Sequence, residues 1–237
     1  MIKKAESEFL DGLLSGLPIG LGYFPVSFTF GIMAVQGGLS PLLSVLMSLT
    51  NLTSAGQFAG TKLIISVSSL LAIAFATIVI NLRYMLMSIS ISQKLSPDVG
   101  FFKRLIFGFG ITDEVFAIAI IRKEPLTFKF MSGLMMLPII GWTMGTAAGA
   151  YLTNLLPQSL QSAMGIALYA MFIAIIIPPA KQEKPLLLAV TFSIALSCTL
   201  TFVPVFSFIG NSLKPLICAI IAAVAMAIIH PIERQEQ

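Results

Sequence analysis

Long apolar runs separated by short polar ones cover most of the chain. They predict helices, because each exceeds the roughly four to eight residues of a buried strand. The runs are Gly12–Val35, Pro41–Ala59, Ile64–Ser92, Leu105–Ile121, Phe130–Leu152, Ser162–Pro178, Leu186–Ile209 and Pro215–Ile229. The first is 24 residues long, about 36 Å of helix at ~1.5 Å per residue, and no small-residue cleavage site follows it, so it reads as a retained span and not a signal peptide. The pattern predicts an all-α polytopic membrane protein of about eight membrane segments, with residues 1–237 forming one membrane domain.

Composition supports this. Apolar residues make up 57% of the 237 and charged residues 10%, against roughly 25% charged in soluble domains. A mean hydropathy of +0.97 excludes a water-soluble surface of this size. The formal net charge is +4, but the basic residues stand singly or in pairs, with no run that could track a phosphate backbone, so no nucleic-acid partner is expected. Cys198 and Cys218 lie inside apolar runs and read as small packing residues. With His230 as the one histidine, neither a metal site nor a His-based triad has its raw material, and nothing calls for a cofactor.

Loop charges orient the chain. With every run crossing once and the N-terminus inside, Lys3, Lys4, Lys62, Arg122, Lys123, Lys129, Lys181, Lys184 and Arg234 fall inside, and Lys94, Lys103, Arg104 and Lys214 outside. That places both termini in the cytoplasm. The basic loop 93–104 then lies on the wrong side: either the bias fails there or a neighbouring segment is re-entrant. An echo of Ser15-Gly16-Leu17, Gly31 and Pro41 in Ser132-Gly133-Leu134, Gly149 and Pro157 predicts an internal duplication, with halves 12–104 and 105–237.

The polar residues within the runs carry the chemistry. Thr112-Asp113-Glu114 sits mid-run, about 12 Å from either end, where each charge costs on the order of 2.5–3.5 kcal/mol. Gly108 and Gly110 precede it and Thr112 is a good N-cap, so the run reads as a broken helix with two acids at the break. Arg83, about 13 Å from Gln93 if helical, is too deep to snorkel; it pairs with one of the acids or serves as a fixed cation for a carboxylate. Asn51, Thr53, Ser54 and Gln57, with Gly56 and Gly60, read as unwound backbone lining a cavity or as small-residue helix packing. Pro18, Gly20, Gly22 and Pro25 mark a further candidate break in the first run.

A buried cation, two acids and neutral hydrogen-bonding groups suit a small zwitterion: Arg83 takes its carboxylate, Asp113 and Glu114 handle amine and proton, and Asn51, Ser54, Gln57, Asn81 and Thr112 line the site. A carboxylate that alternately holds amine and H⁺ is the simplest coupling device.

Three motifs resemble the AzlC-type branched-chain amino acid exporters, the large subunit of a two-component bacterial system: Leu52-Thr53-Ser54-Ala55-Gly56-Gln57-Phe58-Ala59-Gly60, Ile80-Asn81-Leu82-Arg83-Tyr84-Met85-Leu86-Met87 and Ile111-Thr112-Asp113-Glu114-Val115-Phe116-Ala117. The resemblance covers most of the chain. It implies efflux of leucine, isoleucine or valine across the bacterial inner membrane and a small AzlD-type membrane partner of about four spans, as that family has. Tyr84 departs from the His of many relatives, which puts in doubt any proton-handling role for that ring. Two readings from other classes stay open. One is a substrate-binding or scaffold subunit whose pathway a partner completes. The other is an intramembrane protease using Asp113, which lacks a second membrane Asp or a nucleophile–base pair. The chain is therefore expected to be no enzyme.

Overall fold

The computed structural model describes residues 2–155, 183–206 and 214–229, together with 157, 159, 173, 177, 180 and 181. The chain divides into two compact units, Met1–Leu168 and Tyr169–Gln237. The first holds α1 (Ile2–Gln36), α2 (Pro41–Thr50), α3 (Ala55–Ile65), α4 (Leu70–Lys94), α5 (Phe101–Gly110), α6 (Asp113–Ile121) and α7 (Phe128–Leu152). The second holds α8 (Lys184–Phe202) and α9 (Lys214–Ile229), which pack on each other. Among the described residues there is no strand, and Ser7–Gln36, α4, α7 and α8 are long and apolar enough to cross a membrane. The protein is an all-α polytopic membrane protein.

The core of the first unit is the pair α1 and α7, which run parallel and in close register: Gly12 meets Phe130, Gly16 meets Leu134 and Gly149 meets Phe28. A Cβ on Gly16 would stand 2.4 Å from the Leu134 carbonyl oxygen, and one on Gly141 2.2 Å from that of Gly20. Without a hydrophobic drive between helices in lipid, such backbone approach is what makes the contact favourable. Pro18 and Pro25 lie inside α1, yet the helix runs unbroken from Ile2 to Gln36, so the break expected there is absent. Each Pro removes a backbone bond, and packing along α7 keeps the helix in line.

Two of the apolar runs do not cross. In Pro41–Ala59, α2 starts at an N-cap (Ser40 Oγ accepts from Leu43 N at 3.2 Å, with Pro41 at the first position) and stops at Asn51, where the backbone turns extended. It restarts as α3 after Ser54, at φ 45°. α3 then runs back alongside α1, with Phe58 against Phe30 at 5.3 Å and Ile65 at Gly37, just past the end of α1. Both ends of this hairpin therefore lie at the end of the unit where α1 finishes.

The second hairpin is the mirror case. α5 runs along α7, with Phe107 stacked on Phe128 at 5.6 Å and Gly110 against Met135. It ends at Gly110, and α6 begins after Thr112, whose Oγ1 accepts from Val115 N at 3.4 Å. α6 returns to where α5 began: Lys94 Nζ, at the end of α4, donates to the carbonyls of Ile120 (2.6 Å) and Arg122, and Leu95 bridges Leu126. Thr127 Oγ1, capping α7, donates to Glu8 of α1 at 2.8 Å, which places this mouth at the end where α1 starts.

This corrects the reading of loop 93–104. The segment Leu105–Ile121 is the re-entrant one, so the loop lies at the same end as the N-terminus and the charge conflict disappears. The physical cause is the pair of polar breaks: ten-residue half-helices such as α2 and α5 extend about 15 Å, half a bilayer core, before each break. The run Leu186–Ile209 stops as a helix at Phe202, just before Pro204. Cys198 and Cys218 are free thiols. Most of Ser162–Pro178, and His230, lie outside the described residues.

Candidate functional site

The two hairpins enter the unit from opposite ends, and their tips meet the middle of α4. At the first tip the Asn81 side chain fills the space beside Gly56: a Cβ there would stand 2.6 Å from Asn81 Oδ1 and 2.8 Å from Thr53 Oγ1. Only glycine admits that approach. Thr53 Oγ1 donates to Asn51 Oδ1 at 2.7 Å, holding the unwound residues 51–53. At the second tip, two residues further along α4, Arg83 Nη1 lies 3.0 Å from Asp113 Oδ2. Its guanidinium also stands over the Tyr84 ring, 5.2 Å from the centroid, with Nη2 donating to the Tyr84 hydroxyl at 3.4 Å.

The sequence-derived residues thus come together. Asn51, Ser54, Asn81, Arg83, Thr112, Asp113 and Glu114 all lie at or beside the two tips; residues 51–54 are unwound, while Gly56 and Gln57 belong to α3 and pack. Asn81 Oδ1, Ser54 Oγ and Arg83 Nε are buried without a hydrogen-bond partner. Such groups cost free energy when left unpaired. A polar ligand between the tips would satisfy them. Asp113 and Glu114 occupy the first turn of α6, where the helix dipole favours negative charge. The Arg83–Asp113 pair keeps about a third of its side-chain surface open (37% and 33%).

Gln57 is placed differently. It is 1% exposed and its amide is already engaged: Nε2 donates to Ser48 Oγ at 2.6 Å, and Oε1 accepts from Trp142 Nε1 at 2.9 Å. Ser48 Oγ in turn lies 2.7 Å from Thr146 Oγ1. On the other side Trp142 packs edge-on to Tyr23 (5.4 Å, 75°), and the Tyr23 hydroxyl donates to Glu114 Oε2. Tyr23, Ser48, Trp142 and Thr146 were not singled out from sequence. A usable signal was there: a buried Trp or Tyr must find a partner for its N–H or O–H, and amides and acids inside an apolar chain are scarce.

Broken helices whose tips meet beside a charge pair, partway along a helix long enough to cross a membrane, are a feature of the class of membrane carriers. The sequence model of the AzlC family, described as "AzlC protein", matches residues 18–156, which span α1 to α7. The chain belongs to the AzlC family. It is 29% identical to the inner membrane protein YgaZ of Escherichia coli over 94% of this chain and 92% of that one. It is 35% identical to a membrane protein of Archaeoglobus fulgidus over 74% of this chain and 78% of that one. To the branched-chain amino acid transport protein AzlC of Bacillus subtilis it is 23% identical over 71% and 66% of the two chains. No solved structure matches it.

Proposed function

We propose that this protein is the large subunit of a secondary exporter of branched-chain amino acids, linked to the proton gradient and placed in a bacterial inner membrane. The observation that carries the reading is the Arg83–Asp113 pair at the junction of the two hairpin tips, within a family that includes a branched-chain amino acid transport protein. Arg83 takes the substrate carboxylate through its planar fork. Asp113, released from Arg83, takes the amine or a proton, and Glu114 carries the coupled proton. Asn51, Ser54, Asn81 and Thr112 supply neutral hydrogen bonds, and Gln57 shapes the first tip from behind. Apolar side chains around the tips, Leu52 and Ile111 among them, suit an aliphatic substrate.

Orientation follows from the folded-back hairpins. Within the first unit, Lys3, Lys4, Lys94, Lys103, Arg104, Arg122, Lys123 and Lys129 all belong to the end where α1 starts, against Lys62 at the other. The positive-inside rule supports a cytoplasmic N-terminus.

A small AzlD-type subunit completes the transporter in this reading. Phe75, Ile78, Leu82, Met85, Leu86 and Ile89 are exposed along α4, an apolar face open to lipid or to such a subunit. The test is counterflow of labelled leucine, valine and glycine in proteoliposomes holding this chain, with and without the small subunit, at two imposed pH gradients. Leucine or valine exchange that needs Arg83 and follows the gradient is the expected result. Exchange that appears only with the partner present and survives Arg83→Ala would favour the scaffold reading. No exchange by folded protein in either preparation would overturn the substrate assignment.

A further inference from the structure

The two hairpin tips share α4, but a second connection between them runs through the core pair. From the second tip, Glu114 is held by the Tyr23 hydroxyl of α1; Tyr23 packs edge-on against Trp142 of α7; Trp142 donates to Gln57 in the first turn of α3, at the first tip. Gln57 continues through Ser48 of α2 to Thr146 of α7. Every link except Glu114 is buried, with Tyr23, Trp142 and Gln57 at 4%, 1% and 1% exposure. Buried networks of this kind hold their members in one arrangement, because breaking any bond leaves a polar group unpaired.

We propose that Tyr23 and Trp142 are positioning residues that tie the two re-entrant tips together, so that the state of the Glu114 carboxylate is passed to the first hairpin and the two hairpins do not open independently. The inference rests on the reading of the tips as the transport site.

The ionised Glu114 carboxylate only accepts hydrogen bonds, and it accepts the Tyr23 proton. Once protonated, Glu114 carries a donor of its own, and the bond it accepts from the Tyr23 hydroxyl weakens from a charge-assisted one to a neutral one. The Tyr23 ring lies against the indole whose N–H holds Gln57. Among the described residues, the groups that face Glu114 are few. α1 offers Tyr23, α6 offers the adjacent Asp113, and α4 offers Arg83, committed to Asp113, with Tyr84 beside it. α7 carries its ionisable groups, Lys129 and Tyr151, near its two ends, and α5 carries Lys103 and Arg104 in its first turn, beside Phe128 and Val99.

Trp142 is the one tryptophan in the chain, so its emission reports this link without labelling. In the full chain, acidification is expected to shift the Trp142 emission of the wild type, while Glu114→Gln and Tyr23→Phe, each retaining near-native shape, leave it unresponsive. In leucine counterflow, Tyr23→Phe and Trp142→Phe are expected to lower the maximal rate about tenfold, the factor that one buried hydrogen bond amounts to, with the half-saturating concentration changed less than about twofold. The Tyr23→Phe/Trp142→Phe double variant should be no slower than the worse single one, because both cut one link. A wild-type emission indifferent to pH, a Tyr23→Phe protein that keeps the full response, or single effects that multiply in the double variant would each overturn the tie. Absence of leucine exchange by the wild type would instead remove the functional reading, and the emission measurements would still decide the link.

Discussion

Arg83 on α4 and Asp113 at the first turn of α6 lie 3.0 Å apart, so a helix that crosses the membrane and a hairpin that only enters it are joined by one ion pair. Thirty positions of chain separate the two residues, and the fold closes that distance by sending α5 and α6 up and back along α7. Arg83→Ala and Asp113→Asn should each abolish leucine exchange, and each should lower folded yield, because the remaining charge loses its partner. The double variant should recover yield and remain inactive. Fluorescence-detected size exclusion for yield, beside counterflow for activity, separates the two effects. A double variant that transports would show the pair to be structural.

Cysteine labelling checks the hairpin topology. With Cys198 and Cys218 replaced by Ser and Ala, Pro97→Cys and Glu124→Cys should react with an impermeant maleimide from the same side of the membrane, and Ser68→Cys from the other. Opposite sidedness for positions 97 and 124 would mean that Leu105–Ile121 crosses after all.

The α1–α7 contact predicts an intolerant stripe. Gly16→Leu or Gly141→Leu would drive a side chain into a backbone carbonyl 2.4 or 2.2 Å from its Cβ, and no rotamer relieves that. Both should lose folded protein, read as a fall in thermal midpoint or in yield. Gly22→Leu, with open space where its Cβ would point, should be tolerated.

Gly56→Ala acts on the site more than on the fold. Its methyl would meet the Asn81 amide, a movable group, so Asn81 shifts and the first tip loosens. The half-saturating leucine concentration should rise several-fold with little change in thermal midpoint. Thr112→Val removes the α6 cap and should cost about 1 kcal/mol of stability. Thr112→Ser should restore it, as thermal unfolding would show.

Much of this site was legible because charges inside an apolar chain are costly, so their positions are informative. Arg83, Asp113 and Glu114 stand out for that reason, Asn81 as a neutral amide beside them, and the structure brings them to neighbouring turns. The break at Thr112 was legible from its glycines and cap. Loop 93–104 left open a local failure of the charge bias or a re-entrant neighbour, since a hairpin and a span have the same composition. Contacts such as Lys94 with Ile120 decide that, and they belong to the tertiary structure. Pro18 and Pro25 misled because a close parallel neighbour can hold a proline-bearing helix straight. Trp142 and Tyr23 pass for ordinary membrane aromatics until their hydrogen bonds to Gln57 and Glu114 are seen.

Two half-length hairpins entering from opposite ends also have an electrical consequence. In the proposed carrier each half-helix reaches about 15 Å, half of the hydrocarbon core, so Glu114 at the second tip stands about midway across it. A proton arriving there from either side has crossed about half of the membrane voltage, worth about 1.2 kcal/mol at ~100 mV, with the opposite sign for the two approaches. In a proton-linked carrier of this shape, voltage alone biases which compartment loads that carboxylate, even when the two solutions have equal pH.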